Sequence, residues 1–125
     1  MPTYVLDTSV LIAYLGQEPR AEQLRQYRKT AHLPFVVLTE LYYVIFRKHG
    51  PIMADETLQQ VLGWHLPLLM PDERICLSAG YLKGKFALGI ADSYIAAFAL
   101  ALNAVLVTKD SDYGVLKPDI QLVYL

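Results

Sequence analysis

A single cysteine, Cys76, in 125 residues rules out a disulfide framework within the chain, and with it the small secreted scaffolds that depend on one. Charge is scarce as well. Only 18% of the residues are charged, against roughly 25% in ordinary soluble domains, and the net charge of −1 excludes the broad basic field of many nucleic-acid binders. No apolar run approaches the roughly 20 residues of a membrane span; the most apolar stretch, residues 94–107, is broken by Asn103. Pro2 to Leu6 lead straight into Asp7 without the basic and long apolar segments of a signal peptide, so a cytoplasmic protein with no membrane partner is expected. Repeats, linkers and low-complexity segments are missing too.

What the chain has is hydrophobic mass, 54% of its residues, enough for one compact domain spanning 1–125. With so few charges on the surface, part of it is expected to be covered by a partner or a second copy. Cys76, between Ile75 and Leu77, reads as core, and most of the nine tyrosines read as amphipathic core residues.

Strand and helix signals alternate along the chain. Tyr4 to Leu6 is a short β-type run ending at Asp7, after which Thr8 and Ser9 offer helix caps before Val10 to Leu15. Gly16 stops that helix and Pro19 opens another, with Ala21, Leu24 and Tyr27 on its apolar stripe. An extended segment, Ala31 to Leu33, precedes a helix that Pro34 can initiate and Gly50-Pro51 should end, with a further helix opening at Asp55-Glu56. Leu66 to Met70 is a candidate strand, and Pro71-Asp72-Glu73 starts a helix through Leu82. Gly89 leads into a helix that Asn103 can stop, Val105 to Val107 is a fully apolar strand, and Ile120 to Tyr124 is a last one. Apolar strands alternating with helices predict an α/β protein, a three-layer α/β/α sandwich around a central parallel sheet.

Acidic residues fall at telling places in that scheme. Right-handed crossovers put every strand's carboxyl end along one edge, where the ligand crevice of such sheets lies. Asp7 directly follows the first strand, and Asp110, with Asp112 close by, follows the strand that ends near Thr108. Glu40 lies at helical spacing from Val36, Val37, Tyr43 and Val44, an apolar face on which an uncompensated carboxylate is costly. Asp92 sits in the first turns of its helix, with the small residues Ala96 and Ala99 on the same face. Taken singly, each has a plain explanation: helix-dipole complementation for Asp92, turn chemistry for Asp110 or Asp112, an ion pair for Glu40. Together, oxygen ligands without a cysteine or histidine cluster select hard cations, Mg²⁺ or Mn²⁺, and suit phosphodiester hydrolysis. Crowded carboxylates would raise one another's pKa values unless a cation sat among them.

The order of these segments resembles the PIN-domain family, most of all the VapC toxins of toxin–antitoxin pairs. The resemblance is carried by Leu6-Asp7-Thr8-Ser9-Val10-Leu11-Ile12, Leu38-Thr39-Glu40-Leu41, Ile90 to Ala97, and Leu106 to Tyr113, and it covers nearly the whole chain. It implies a PIN-like fold and a Mg²⁺- or Mn²⁺-dependent endoribonuclease with RNA as substrate. Metal would be held by Asp7, Glu40, Asp92 and Asp110, with Asp112 able to share or replace the last. Ser9 and Thr108 would support the carboxylates, and the family further implies a homodimer and a cognate antitoxin that covers the pocket. RNA contacts would fall to Lys83, Lys85 and Lys109, or to Arg47 and Lys48, the latter pair also reading as an ordinary helix terminus.

Rival readings are a receiver-like binding module and a catalytically silent PIN fold. A receiver domain needs paired acids after its first strand, where only Asp7 stands. A haloacid-type phosphatase would want a second Asp at position 9, which is Ser9, and a calcium loop from Asp110 would want a Glu where Gln121 stands.

Overall fold

A computed structural model describes residues 2–125. Five strands, β1 (Tyr4–Leu6), β2 (Ala31–Pro34), β3 (Leu68–Leu69), β4 (Val105–Thr108) and β5 (Gln121–Tyr124), form a sheet in the order β3-β2-β1-β4-β5. Every pairing is parallel, with Tyr4 opposite both Ala31 and Val105. Right-handed crossovers are the rule for such connections, and they carry the chain outward in two directions from the centre. The order therefore reverses between β1 and β4, and that switch point is where a crevice opens beyond the strand ends.

The sheet's middle strands are apolar on both faces because helices cover both. Val5, Leu6, Leu106 and Val107 are fully buried, and the core continues through Val10, Leu11, Val37, Leu41, Ile95 and Phe98 from the flanking helices. Burial of side chains of this size contributes about 1.5–3 kcal/mol each. The helices are α1 (Thr8–Leu15), α2 (Leu24–Arg28), α3 (Phe35–Leu62), α4 (Glu73–Lys85) and α5 (Ile90–Leu102). α5 packs against α4 and against β1, β2 and β4; its buried alanines, Ala96, Ala97 and Ala99, let its backbone approach the sheet closely. Asn103, in the left-handed conformation (φ 50°), ends it as the sequence suggests.

Three local expectations are corrected. The break at Gly50 is present, with φ 87° and ψ 177°, a conformation suited to glycine. Helix resumes at once, with Pro51 in the first position, where its missing N–H is no loss, rather than at Asp55-Glu56. Cys76 is exposed rather than core, because α4 turns Ile75, Ala79 and Leu82 inward and Cys76 lies one residue off that stripe. Thr8 and Ser9 do not cap α1. Asp7 is its N-cap, without a side-chain capping bond, and both hydroxyls have other partners.

Candidate active site

β1 and β4 end side by side, and the Asp7 amide donates to the Val107 carbonyl at 3.0 Å, so Asp7 starts where the two central strands stop. The surroundings of its carboxylate follow from hydroxyl valence. Ser9 Oγ accepts the Lys109 amide (3.0 Å) and Thr108 Oγ1 accepts the Asp110 amide (2.9 Å). Each hydroxyl proton is thereby turned to Asp7 Oδ2, at 2.6 Å from Ser9 and 2.8 Å from Thr108. Two donors fill the lone pairs of Oδ2. Oδ1 accepts from the Tyr113 hydroxyl at 3.0 Å and keeps capacity for another ligand.

The other acids reach the same place from different elements. Glu40, in the second turn of α3, accepts from Thr8 Oγ1 at 2.7 Å. Asp92, in the first turn of α5, places its Oδ1 2.9 Å from the same Tyr113 hydroxyl, whose single proton the two carboxylates share. Asp110 heads a 3₁₀ segment, Ser111–Leu116, and its Oδ1 accepts the Asp112 amide at 2.9 Å, an Asx turn. A cleft of about 270 Å³ is lined by Asp7, Thr8, Ser9, Glu40, Asp92 and Asp110, with Ile12 and Val44 as its apolar wall. Asp112 lies outside it. The Asx turn uses its backbone amide and leaves its side chain exposed, so of the two it is Asp110 that lines the cleft.

Electrostatically the cleft is one-sided. Among the described residues, none of its four acids forms an ion pair. Burial raises the Asp92 carboxyl to about 6, opposed by the Tyr113 hydrogen bond and reinforced by the charges of Asp7, Asp110 and Glu40. Burial likewise raises Glu40, with the Thr8 bond opposing and Asp7 adding to the rise. Tyr113 is held firmly in its neutral form, first by burial and then by the two carboxylates it touches. Among the described residues no three acidic, histidine or cysteine side chains are drawn into a closed chelate. The four carboxylates line the cleft from four different segments.

The basic candidates are placed less directly. Lys109 leans away to Glu18 (2.6 Å), Lys83 donates to the Leu88 carbonyl (3.1 Å), and Lys85 lies over the rings of Tyr81 and Phe86. Arg47 stacks on Tyr43, and Lys48 borders a separate groove with Ile12, Leu15 and Met53. Two residues of the site escaped sequence reasoning. Thr8 read as a cap, and Tyr113 entered only as the last residue of a segment that carries the resemblance. The signals were there, a second hydroxyl beside Asp7 and an aromatic five residues past Thr108, but their partners lie on other elements.

Parallel α/β architecture with carboxylates collected at the switch point is the plan of a PIN domain, and residues 4–117 match the PIN domain family. The chain belongs to that family. It is 31% identical over 116 residues to Ribonuclease VapC1 of Haemophilus influenzae (strain R2866), covering 86% of each chain. In three dimensions it is similar to VapBC-1 from nontypeable Haemophilus influenzae (TM-score 0.76, 26% identity, 98% and 97% of the two chains). It also superposes on DNA-bound VapBC from Salmonella typhimurium (TM-score 0.80, 21% identity, 98% of each chain), a likeness of fold. Within the PIN family, then, its similarity is to the VapC proteins. No helix among the described residues is long and apolar enough to cross a membrane.

Proposed function

We propose that this chain is a Mg²⁺- or Mn²⁺-dependent endoribonuclease, the toxin half of a toxin–antitoxin pair, acting in the cytoplasm as a homodimer of single-domain chains. The observation that carries the reading is the cleft itself, with four carboxylates from four separate segments and no basic partner for any of them. A protein gains nothing in stability from such an arrangement, since each ionised group raises the energy of the others. The likeness to Ribonuclease VapC1 and to VapBC structures supports RNA as substrate and an antitoxin protein as partner.

The donor set suits the ion: hard oxygen ligands only, in a cleft of about 270 Å³ with room for waters as well. Asp7, Glu40, Asp92 and Asp110 would hold it. A bound divalent ion lowers the pKa of a water and offsets charge developing on the phosphate. Ser9 and Thr108 fix the Asp7 carboxylate by occupying Oδ2, which leaves Oδ1, bonded to Tyr113, with capacity for a further ligand. Thr8 does the same for one oxygen of Glu40. Asp92, raised to about 6, is mostly ionised at neutral pH and would be available to a bound ion there, while below that value a proton would compete with the ion. Ile12 and Val44 limit water on one side of the cleft.

Cleavage of single-stranded RNA by the purified chain tests this. We expect products with Mg²⁺ or Mn²⁺, none in EDTA, and a loss of about three orders of magnitude in Asp7→Asn, equivalent to about 4 kcal/mol of transition-state stabilisation. Equal cleavage by Asp7→Asn, or in EDTA, would overturn the reading; metal binding without cleavage would make the chain a silent PIN scaffold.

A further inference from the structure

Tyr113 is fully buried, the largest side chain among the described residues to be so. A tyrosine needs a partner for its hydroxyl when it is taken out of water. This one has two within reach, Asp7 Oδ1 at 3.0 Å and Asp92 Oδ1 at 2.9 Å, acids from segments far apart in the chain that share its single proton. Ser9 and Thr108 reach Asp7 alone, and Thr8 reaches Glu40 alone. Among the described residues, Tyr113 is the side chain that hydrogen-bonds to two of the four acids.

We infer that Tyr113 is a positioning residue of the acid cleft, its buried hydroxyl tying the carboxylates of Asp7 and Asp92 together so that they face a divalent cation as a pair. The inference rests on the metal-dependent reading of the cleft. Its geometric basis is the route by which Tyr113 arrives. The Asx turn of Asp110 starts the 3₁₀ segment Ser111–Leu116, which carries Tyr113 inward beneath the strand ends, where its ring joins the core. A ring anchored by packing gives its hydroxyl a fixed position. Both Oδ1 atoms are then referred to one rigid point rather than to two independent, mutually repelling side chains. Supporting bonds of this sort around ligating groups typically affect metal affinity or activity by about 10–100-fold. A phenylalanine would fill the same space in the core and supply no such point.

The test is Tyr113→Phe in the full chain, with Mn²⁺ as the probe. The Mn²⁺ concentration for half-maximal RNA cleavage should rise about tenfold, a larger change than the fall in kcat at saturating Mn²⁺. The rise in melting temperature that a fixed Mn²⁺ concentration produces should shrink. A purely structural tyrosine would lower the melting temperature equally with Mn²⁺ and with EDTA, leaving that rise unchanged, so the comparison holds even if the variant is less stable. An unchanged Mn²⁺ midpoint and an unchanged Mn²⁺-induced rise in Tyr113→Phe, alongside a metal-dependent wild type, would overturn the role of Tyr113 alone. A wild type that neither cleaves with nor is stabilised by Mn²⁺ would remove the metal-dependent reading, and this inference with it.

Discussion

Glu18 and Glu22 each face a basic partner, Lys109 at 2.6 Å and Arg25 at 3.1 Å, whereas Asp7, Glu40, Asp92 and Asp110 have none among the described residues. The two groups are close in the fold, since the Lys109 amide donates to Ser9, itself bonded to Asp7. The paired acids are on the surface, where water already solvates them and a salt bridge is worth about 0–1 kcal/mol. The unpaired ones line the cleft, where burial makes charge expensive and a counterion would stabilise most. A chain with eleven Lys and Arg residues leaves its most strained acids without one. The contrast separates acids that are satisfied by solvent and a nearby base from acids whose charge stays uncompensated, as the proposed cation site would require.

The largest effects should come from taking one charge out of the cleft. Loss of cleavage in Asp7→Asn heads the list, and Asp92→Asn should abolish cleavage as completely while improving the metal-free fold at neutral pH. The reasoning is linkage. The folded-state value of about 6 lies above the ordinary 3.8, so Asp92 contributes stability below the ordinary value that is lost as pH rises through about 6. The asparagine variant lacks that loss. Thermal unfolding in EDTA between pH 4 and 8 measures it, and a variant that loses stability over that range as steeply as the wild type would contradict the account. Because the ion binds the ionised carboxylate, wild-type Mn²⁺ affinity should fall about tenfold for each pH unit below that value if one proton is displaced per ion.

Next in size is the weakening of Mn²⁺ binding expected of Tyr113→Phe. Thr8→Val should act in the same direction and less, by removing the hydroxyl that holds Glu40 and lowers its pKa. Calorimetric Mn²⁺ titration checks this, and affinity equal to wild type would mean that Glu40 is positioned by something else. The smallest effect belongs to the paired group. Glu18→Gln should change stability by no more than about 1 kcal/mol and leave Mn²⁺ affinity untouched, since its partner Lys109 points away from the cleft. A Mn²⁺ midpoint that moved with Glu18→Gln would erase the distinction between the two groups.

Much of the architecture was legible along the chain because it depends on periodicity and punctuation. The apolar strands at residues 4–6 and 105–108, the stop at Asn103 and the break at Gly50 all express preferences of the local backbone. The acids could be named for a related reason: a carboxylate after an apolar strand, or on an apolar helix face, is anomalous wherever the chain goes next. Cys76 was misread because its neighbours in sequence are apolar while the inward stripe of α4 runs through Ile75 and Ala79. Asp110 and Asp112 could not be separated, because a single Asx turn decides which of them enters the cleft.

By itself, then, the sequence determined which segments become strands and helices, and which charged groups would be costly unless compensated. Only the tertiary structure decided what the hydroxyls do: Ser9 and Thr108 converge on Asp7, Thr8 crosses to Glu40, and Tyr113 joins Asp7 to Asp92. The physical reason is that a hydrogen bond depends on distance and direction over about 3 Å. Those coordinates are set by how α3, α5 and the segment after β4 pack on the sheet, which no local preference encodes.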